Sequence, residues 1–154
     1  MELITDQDII AGSLCDASNI KGHAEALVRP SSAEEVSDLL ALCQQRAIPI
    51  TVTAQRTSTT GGPVPNGGWL LSTEKLNRIH GIDEVDAGVF LGEYQARIES
   101  EGFLFPPDPT SRNECTIGAA VACNASGARS FRYGPTRRWI KALEVVFPNG
   151  EIQR

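Results

Sequence analysis

Residues 48–72 read IPITVTAQRTSTTGGPVPNGGWLLS, and this stretch decides the fold. The β-branched run Ile50-Thr51-Val52-Thr53 predicts a strand, because branched side chains suit a pleated, half-buried surface. Ala54–Gly68 is rich in Gly, Pro, Ser and Thr and predicts a long loop, after which Trp69-Leu70-Leu71-Ser72 predicts a second strand. A long loop is costly to order, so one held between two strands is a candidate ligand-closing segment.

Toward the N-terminus, Ala26-Leu27-Val28 predicts a short strand stopped by Pro30. Ser31 and Ser32 each have a glutamate three residues later, Glu34 and Glu35, which is a capping-box signature for a helix start. Val36, Leu39, Leu40 and Cys43 then repeat with helical spacing, and Pro49 ends the element. Residues 1–25 combine a short amphipathic start with the polar stretch DASNIKG and are read as an N-terminal arm.

Toward the C-terminus, Lys75–Asn77 predicts a turn, and extended pieces are expected around Ile79–Ile82 and Val89–Leu91. Gly92–Glu101 predicts a helix, with Tyr94 and Ile98 stacked one turn apart and Gly102 placed to stop it. Residues 105–137, FPPDPTSRNECTIGAAVACNASGARSFRYGPTR, hold only a short predicted helix at Ile117–Asn124, because Ala, Gly and Cys bury little. Ile140–Phe147 predicts a buried strand, and Pro148-Asn149-Gly150 a hairpin turn whose second strand has barely begun at Arg154. The order β-α-β-loop-β-β-β-α is a mixed α+β pattern.

The bulk numbers exclude some partners. A net charge of -5, with 14 basic and 19 acidic residues, is the wrong sign for nucleic acid or an acidic membrane surface. No apolar run approaches membrane-spanning length, and the start MELITDQDII carries acids where a secretion signal needs bases, so a cytoplasmic protein is expected. The four cysteines, Cys15, Cys43, Cys115 and Cys123, form no CxxC pair and lie far from His23 and His80, so no metal site is expected and mostly buried, reduced thiols are. Arg129, Arg132, Arg137 and Arg138 form a local cluster, read as solvated or as a holder of an anionic group. Trp69 and Trp139 are read as partly buried packing residues, and the two histidines as surface groups.

Two segments have the composition of a phosphate cradle: Thr57-Ser58-Thr59-Thr60-Gly61-Gly62 after a strand, and Thr116-Ile117-Gly118-Ala119-Ala120 at a helix start. Backbone amides and hydroxyls donate to an anion, and small side chains allow close approach. Neither segment fits the P-loop or the dinucleotide fingerprint, which disfavours a nucleoside triphosphatase and a nicotinamide site. Taken separately, each is also compatible with being a plain connection.

The phrases DASNIKG, ALVRPSSAEEVSDLLALC, IPITVTAQRTSTTGG, GGWLLSTEKLNRI, GFLFPPDPTS, CTIGAAVACNASGARSFRYGPTR and LEVVFPNG, in that order, resemble the FAD-binding PCMH-type domain of the vanillyl-alcohol-oxidase superfamily. Within it, the FAD-linked glycolate oxidase and D-lactate dehydrogenase group is the nearest branch. The resemblance spans roughly residues 14–150. It implies an α+β fold of two small lobes with FAD lying between them, C-terminally truncated, with residues 26–154 as an incomplete FAD-binding domain lacking its cap domain. It implies non-covalent FAD, since Thr57 stands where some relatives carry a tethering histidine.

Carried over position by position, the resemblance makes Thr57, Ser58, Thr60, Gly61 and Gly62 contacts of the FAD diphosphate. Pro107, Asp108, Pro109, Thr110 and Ser111 match a segment beside the flavin and ribityl chain. Thr116, Gly118, Ala122, Asn124 and Gly127 match a second diphosphate and flavin-side segment, continued by Tyr133, Gly134 and Thr136. The implied function is oxidation of a 2-hydroxy acid such as lactate or glycolate by hydride transfer to FAD. Substrate would be held only with a cap domain, other oxidase subunits are a further partner class, and the fragment alone is expected to turn over little. A truncated, non-catalytic nucleotide-binding or interaction module is the alternative, and a UDP-sugar reductase a third reading disfavoured by PPDPTS. Two departures stand out. Ala54-Gln55-Arg56 replace the family's usual glycines, which would strain the turn if those positions need positive φ, and Ser126 replaces a glycine.

Overall fold

The computed structural model describes residues 2–154 and has a mixed α+β architecture divided into two compact units. One unit comprises the chain up to Lys75 together with Leu143–Arg154, and the other Leu76–Ala142. No helix among the described residues is long and apolar enough to cross a membrane.

The first unit is built on a four-stranded sheet of β1 (Leu3–Ile4), β2 (Ala26–Val28), β3 (Ile50–Thr53) and β4 (Trp69–Ser72), in the order β1-β2-β4-β3. β4 lies between β2 and β3 and runs parallel to both, with Leu27 opposite Leu70 and Thr51 opposite Leu70 on its other side. The burial follows from that order: Leu27 and Leu70, on the inner strands, are fully buried, whereas Val52 on the edge strand β3 is 54% exposed. Gly68, the residue leading into β4, has φ +71°, and a Cβ there would lie 2.1 Å from the Pro49 carbonyl oxygen. The flanking backbone explains the squeeze, since Trp69 N–H donates to Pro49 O at 2.8 Å and Glu25 N–H to Gly68 O at 2.9 Å.

The stretch before Ala26, read from the sequence as an arm, is packed into this unit. Its strand β1 pairs antiparallel with β2, and its short helix α1 (Gln7–Ala11) sends Ile10 into a core with Ala24, Leu27 and Leu70. Two-residue strands and one-turn helices are too short to leave a periodic signal.

Helix α2 (Ala33–Gln45) starts at the expected cap: Ser32 Oγ accepts the Glu35 amide at 3.3 Å, and Glu35 Oε2 accepts from Ser31 N–H at 2.7 Å. Val36, Leu39 and Cys43 are its buried stripe. At its end Ile48 N–H donates to Cys43 O (2.9 Å) and Ala47 N–H to Gln44 O (3.2 Å), the double bond of a Schellman motif, with Ala47 at φ +54° where glycine is usual.

The second unit has a core of Val89, Leu91, Tyr94, Ile98, Phe105, Cys115, Ile117 and Ala120. Helix α3 (Leu91–Glu99) supplies Leu91, Tyr94 and Ile98, and Tyr94 meets Phe105 edge-on with centroids 5.5 Å apart. Helices α4 (Ile117–Ala122) and α5 (Ser130–Tyr133) and a 3₁₀ turn (Thr136–Trp139) follow. The extended pieces expected near Ile79 and Val89 reduce to isolated bridges, Ile79 with Val85 and Phe90 with Thr116, because no ladder forms beside them. The strand expected over Ile140–Phe147 shrinks to β5 (Val145–Val146) in the first unit, paired with β6 (Ile152–Gln153). Val145 and Phe147 are each 40% exposed, so the apolar run does not mark full burial.

Two substitutions test this backbone account by urea unfolding. Gly68→Ala should lower stability by about 2 kcal/mol or more, because Pro49 leaves no room and the conformation is left-handed. Ala47→Gly should raise it by about 0.5–1 kcal/mol by relieving a left-handed alanine. An unchanged midpoint in the first, or a lowered one in the second, contradicts the account.

Candidate functional site

The long loop leaves β3 at Thr53, whose side chain is 1% exposed and whose Oγ1 has no hydrogen-bond partner. Ligands of open α/β sheets gather at the carboxyl ends of the strands, where this loop begins. Of the three residues replacing glycines, Arg56 alone has positive φ, +57°, so the strain expected of these replacements applies to one position of the three. Its guanidinium donates to Ala54 O at 3.0 Å and its carbonyl accepts Ala17 N–H at 3.1 Å.

Asp16 anchors the other end of the Thr57–Thr60 segment. It is 6% exposed, its Oδ1 accepts the Ser18 amide at 2.9 Å and the Ser18 hydroxyl, and its Oδ2 accepts the Gly61 amide at 2.9 Å. The Ser18 hydroxyl, aided by the amides of Ser18 and Gly61 and opposed by burial, holds the carboxyl below the ordinary aspartate value of 3.8. Within the loop, Ser58 Oγ accepts the Thr60 amide at 3.2 Å and lies 3.0 Å from Thr60 Oγ1. The amides of Gly61 and Thr60, expected as ligand donors, are thus already engaged. Those of Thr57, Ser58, Thr59 and Gly62 have no acceptor among the described residues. Four free amides with neighbouring hydroxyls within six residues of the loop are the donor types that suit an anion. Asp16 opens the DASNIKG phrase but is not among the site residues that the sequence marks. Its D-x-S turn with Ser18 is a local signal, but its bond to Gly61 spans 45 residues.

In the second unit the Pro107–Ser111 segment is held from beneath by Gln95. That side chain is 4% exposed, and its Nε2 donates to Phe105 O at 2.8 Å and Pro107 O at 2.7 Å while its Oε1 is unpartnered. Gly127 lies against this segment: a Cβ there would stand 1.6 Å from Asp108 O, so no other residue fits without moving the backbone. The structure therefore brings Asp108 and Gly127 together. Asp108 is flanked by Arg112 at 3.5 Å and Arg129 at 3.6 Å, while the Arg132 guanidinium lies 5.2 Å from the Tyr133 ring centre. The amides of Thr110 and Ser126 have no acceptor among the described residues.

The start of α4 is different. Thr116 is fully buried and caps the helix through Ala119 N–H at 3.4 Å, and Gly118 N–H donates to Ala87 O at 2.8 Å. The chain satisfies these donors itself, so the start of α4 is self-capped. Asn124 Oδ1 accepts Arg137 N–H at 3.1 Å, and fully buried Thr136 donates its hydroxyl to Ala125 O at 2.8 Å, while Ala122 is exposed. Tyr133 and Gly134 are half-buried, with Tyr133 O accepting the Trp139 indole N–H at 3.1 Å. Cys43 and Cys115 are buried and Cys15 and Cys123 exposed, all four free, and burial pushes the two buried thiols up in pKa.

The Asp16 bond gives a pH test. A lowered folded-state pKa means that its stabilisation is present above the ordinary aspartate value and is lost as pH falls through the folded value. The Gly61 amide resonance should accordingly titrate below pH 3.8, and Asp16→Asn should abolish that titration. A midpoint at or above the ordinary value contradicts the assignment.

Comparison with known proteins adds to this geometry. The family described as FAD binding domain matches residues 24–154. A D-lactate dehydrogenase of Anaerostipes hadrus is 40% identical over 139 residues, 86% of this chain and 29% of that protein. The glycolate oxidase subunit GlcD of Bacillus subtilis (strain 168) is 36% identical over 137 residues, 84% of this chain and 29% of that one. Among solved structures, an alkyldihydroxyacetonephosphate synthase superimposes with a TM-score of 0.86 at 20% identity, over 96% of this chain and 30% of its own, a likeness of fold. The chain thus spans less than a third of the length of these relatives.

Proposed function

The chain belongs to the FAD binding domain family, and from that premise we propose that it is the flavin-nucleotide-binding portion of an oxidoreductase acting on a 2-hydroxy acid of the lactate or glycolate type. The observation that carries the reading is the loop after β3, with its four unengaged amides at Thr57, Ser58, Thr59 and Gly62. A diphosphate fits this donor set, because two negative groups can be met by amides and hydroxyls without a metal. The buried, unpartnered hydroxyl of Thr53 at the root of the loop is a further polar group for which a ligand would supply a partner.

In this reading residues 26–154 are the FAD-binding domain and residues 1–25 brace it. Thr57, Ser58, Thr60 and Gly62 hold the diphosphate, with Gly61 shaping the loop. For the second unit taken by itself, Pro107–Ser111, Asn124, Gly127, Tyr133 and Gly134 are proposed as cofactor-contacting positions. Thr116, Gly118 and Thr136 act by building their own segments, since their donors are taken within the chain. FAD is bound non-covalently, as Thr57 is no tether. Bound there, FAD would supply a hydride acceptor for the carbon that bears the substrate hydroxyl. The protein's share is to bind the cofactor and orient it, while a cap domain holds substrate. Association with other oxidase subunits is proposed from the subunit status of the relative GlcD. The cytoplasm is proposed from four free thiols, which suit a reducing compartment.

One observation favours a second reading, an interaction module that does not hold the nucleotide. The Asp16 carboxylate sits on an amide of the candidate phosphate loop, where a negative group opposes another. Titration of the folded chain with FAD separates the readings at their root. Flavin fluorescence should be quenched to saturation at one equivalent, and competition by ADP should restore it. A folded chain that leaves flavin fluorescence unchanged contradicts the proposed function.

A further inference from the structure

Asp16 and Ala17 clamp the candidate phosphate loop from both sides. Ala17 N–H donates to Arg56 O at 3.1 Å before Thr57, and Asp16 Oδ2 accepts Gly61 N–H at 2.9 Å after Thr60. Between these clamps lie Thr57, Ser58, Thr59 and Thr60, three of whose amides are free while the fourth is taken by the Ser58 hydroxyl. A loop that lacks the family's glycine run cannot rely on backbone freedom to find an anion-binding shape, and Ala54-Gln55-Arg56 supply only one left-handed residue, Arg56 at +57°. The shape must come from elsewhere, and the clamps supply it.

We propose that Asp16 is a positioning residue for the nucleotide diphosphate: by holding the Gly61 amide, its carboxylate keeps the Thr57–Gly62 loop in the shape that leaves the Thr57, Ser58, Thr59 and Gly62 amides free for phosphate. The inference rests on the flavin reading above. A carboxylate close to a phosphate site looks unfavourable at first. Its charge, however, is met by two amides and the Ser18 hydroxyl, and the residue is 6% exposed, so those donors compensate much of its field inside the fold. Asp16 does not touch the reacting atoms. It acts through Gly61, and removing it frees the loop to collapse onto its own amides.

The test compares the chain with Asp16→Ala, Asp16→Asn and, as a stability control away from the loop, Ile10→Val. The first measurement is the FAD dissociation constant from flavin quenching, and the second is the exchange rate of the Gly61 amide without FAD. Asp16→Ala should weaken FAD on the order of tenfold or more and speed Gly61 exchange. Asp16→Asn should recover part of both, since its amide oxygen still accepts from Gly61. Ile10→Val should lower the unfolding midpoint and leave FAD affinity unchanged. If both Asp16 variants bind FAD as tightly as the parent, or more tightly, the carboxylate is idle or a competitor and the inference is overturned while the flavin reading stands. If Ile10→Val weakens FAD as much as Asp16→Ala does, the effect is general stability and the inference is again overturned. A parent chain that binds no FAD overturns both.

Discussion

The insertion of β4 between β2 and β3 is the constraint on which the first unit depends. Parallel strands need crossover connections, and here two of them, α2 and the long loop, bring three strands into one small sheet. The insertion buries Leu27, Leu70 and Leu71, and it requires the backbone at Gly68 to pass against Pro49 at a distance that excludes any Cβ. Both ends of the loop are fixed by these strands. The residues between them are free to be polar and small because the sheet, not the loop, supplies the hydrophobic stabilisation, about 25 cal/mol per Å² of apolar surface removed from water.

Anchoring the ends still leaves a loop of more than a dozen residues with many shapes. The segment before β2 selects one of them. Asp16 and Ala17 hold Arg56 and Gly61, and His23 exchanges backbone bonds with Pro65 and Gly67 at 3.1 and 2.8 Å. A chain region that looks like a tail thus gives the candidate site its form, and the carboxylate works because its negative charge is spent on donors inside the protein. In the second unit the same logic recurs on another scaffold. Gln95 and Gly127 fix the Pro107–Ser111 segment, one by donating hydrogen bonds to Phe105 O and Pro107 O and the other by absence of a side chain.

Much of this is legible in the sequence where the signals are local. The Ser32 and Glu35 cap, the apolar stripe of α2, the β-branched run of β3 and the Gly-rich loop are each written within a few residues. The strand order is not, because nothing local says that Trp69–Ser72 enters between two earlier strands. The extended pieces near Ile79 and Val89 and the run from Ile140 promise more strand than forms, since apolar alternation describes a candidate face and not the partner it needs. Of the candidate site, the Thr57–Gly62 segment stands out by composition and by resemblance alike. Composition also marks Thr116–Ala120 as a cradle, and there the structure shows small residues at a helix start serving close packing and self-capping. Asp16 is legible only as the start of DASNIKG and of a local turn with Ser18, whereas its bond to Gly61 is not, because that partner is distant along the chain.

The loop's purpose, in this account, is to hold a flavin nucleotide through its diphosphate by the amides that the fold leaves free. The most direct measurement follows the ¹H–¹⁵N resonances of residues 57–62 as FAD is added to the chain. The Thr57, Ser58, Thr59 and Gly62 amides should shift downfield and gain protection from exchange, while Gly61 keeps the signature of its bond to Asp16. Saturable FAD binding that leaves those four amides unmoved, or that displaces Gly61 from Asp16, would contradict it.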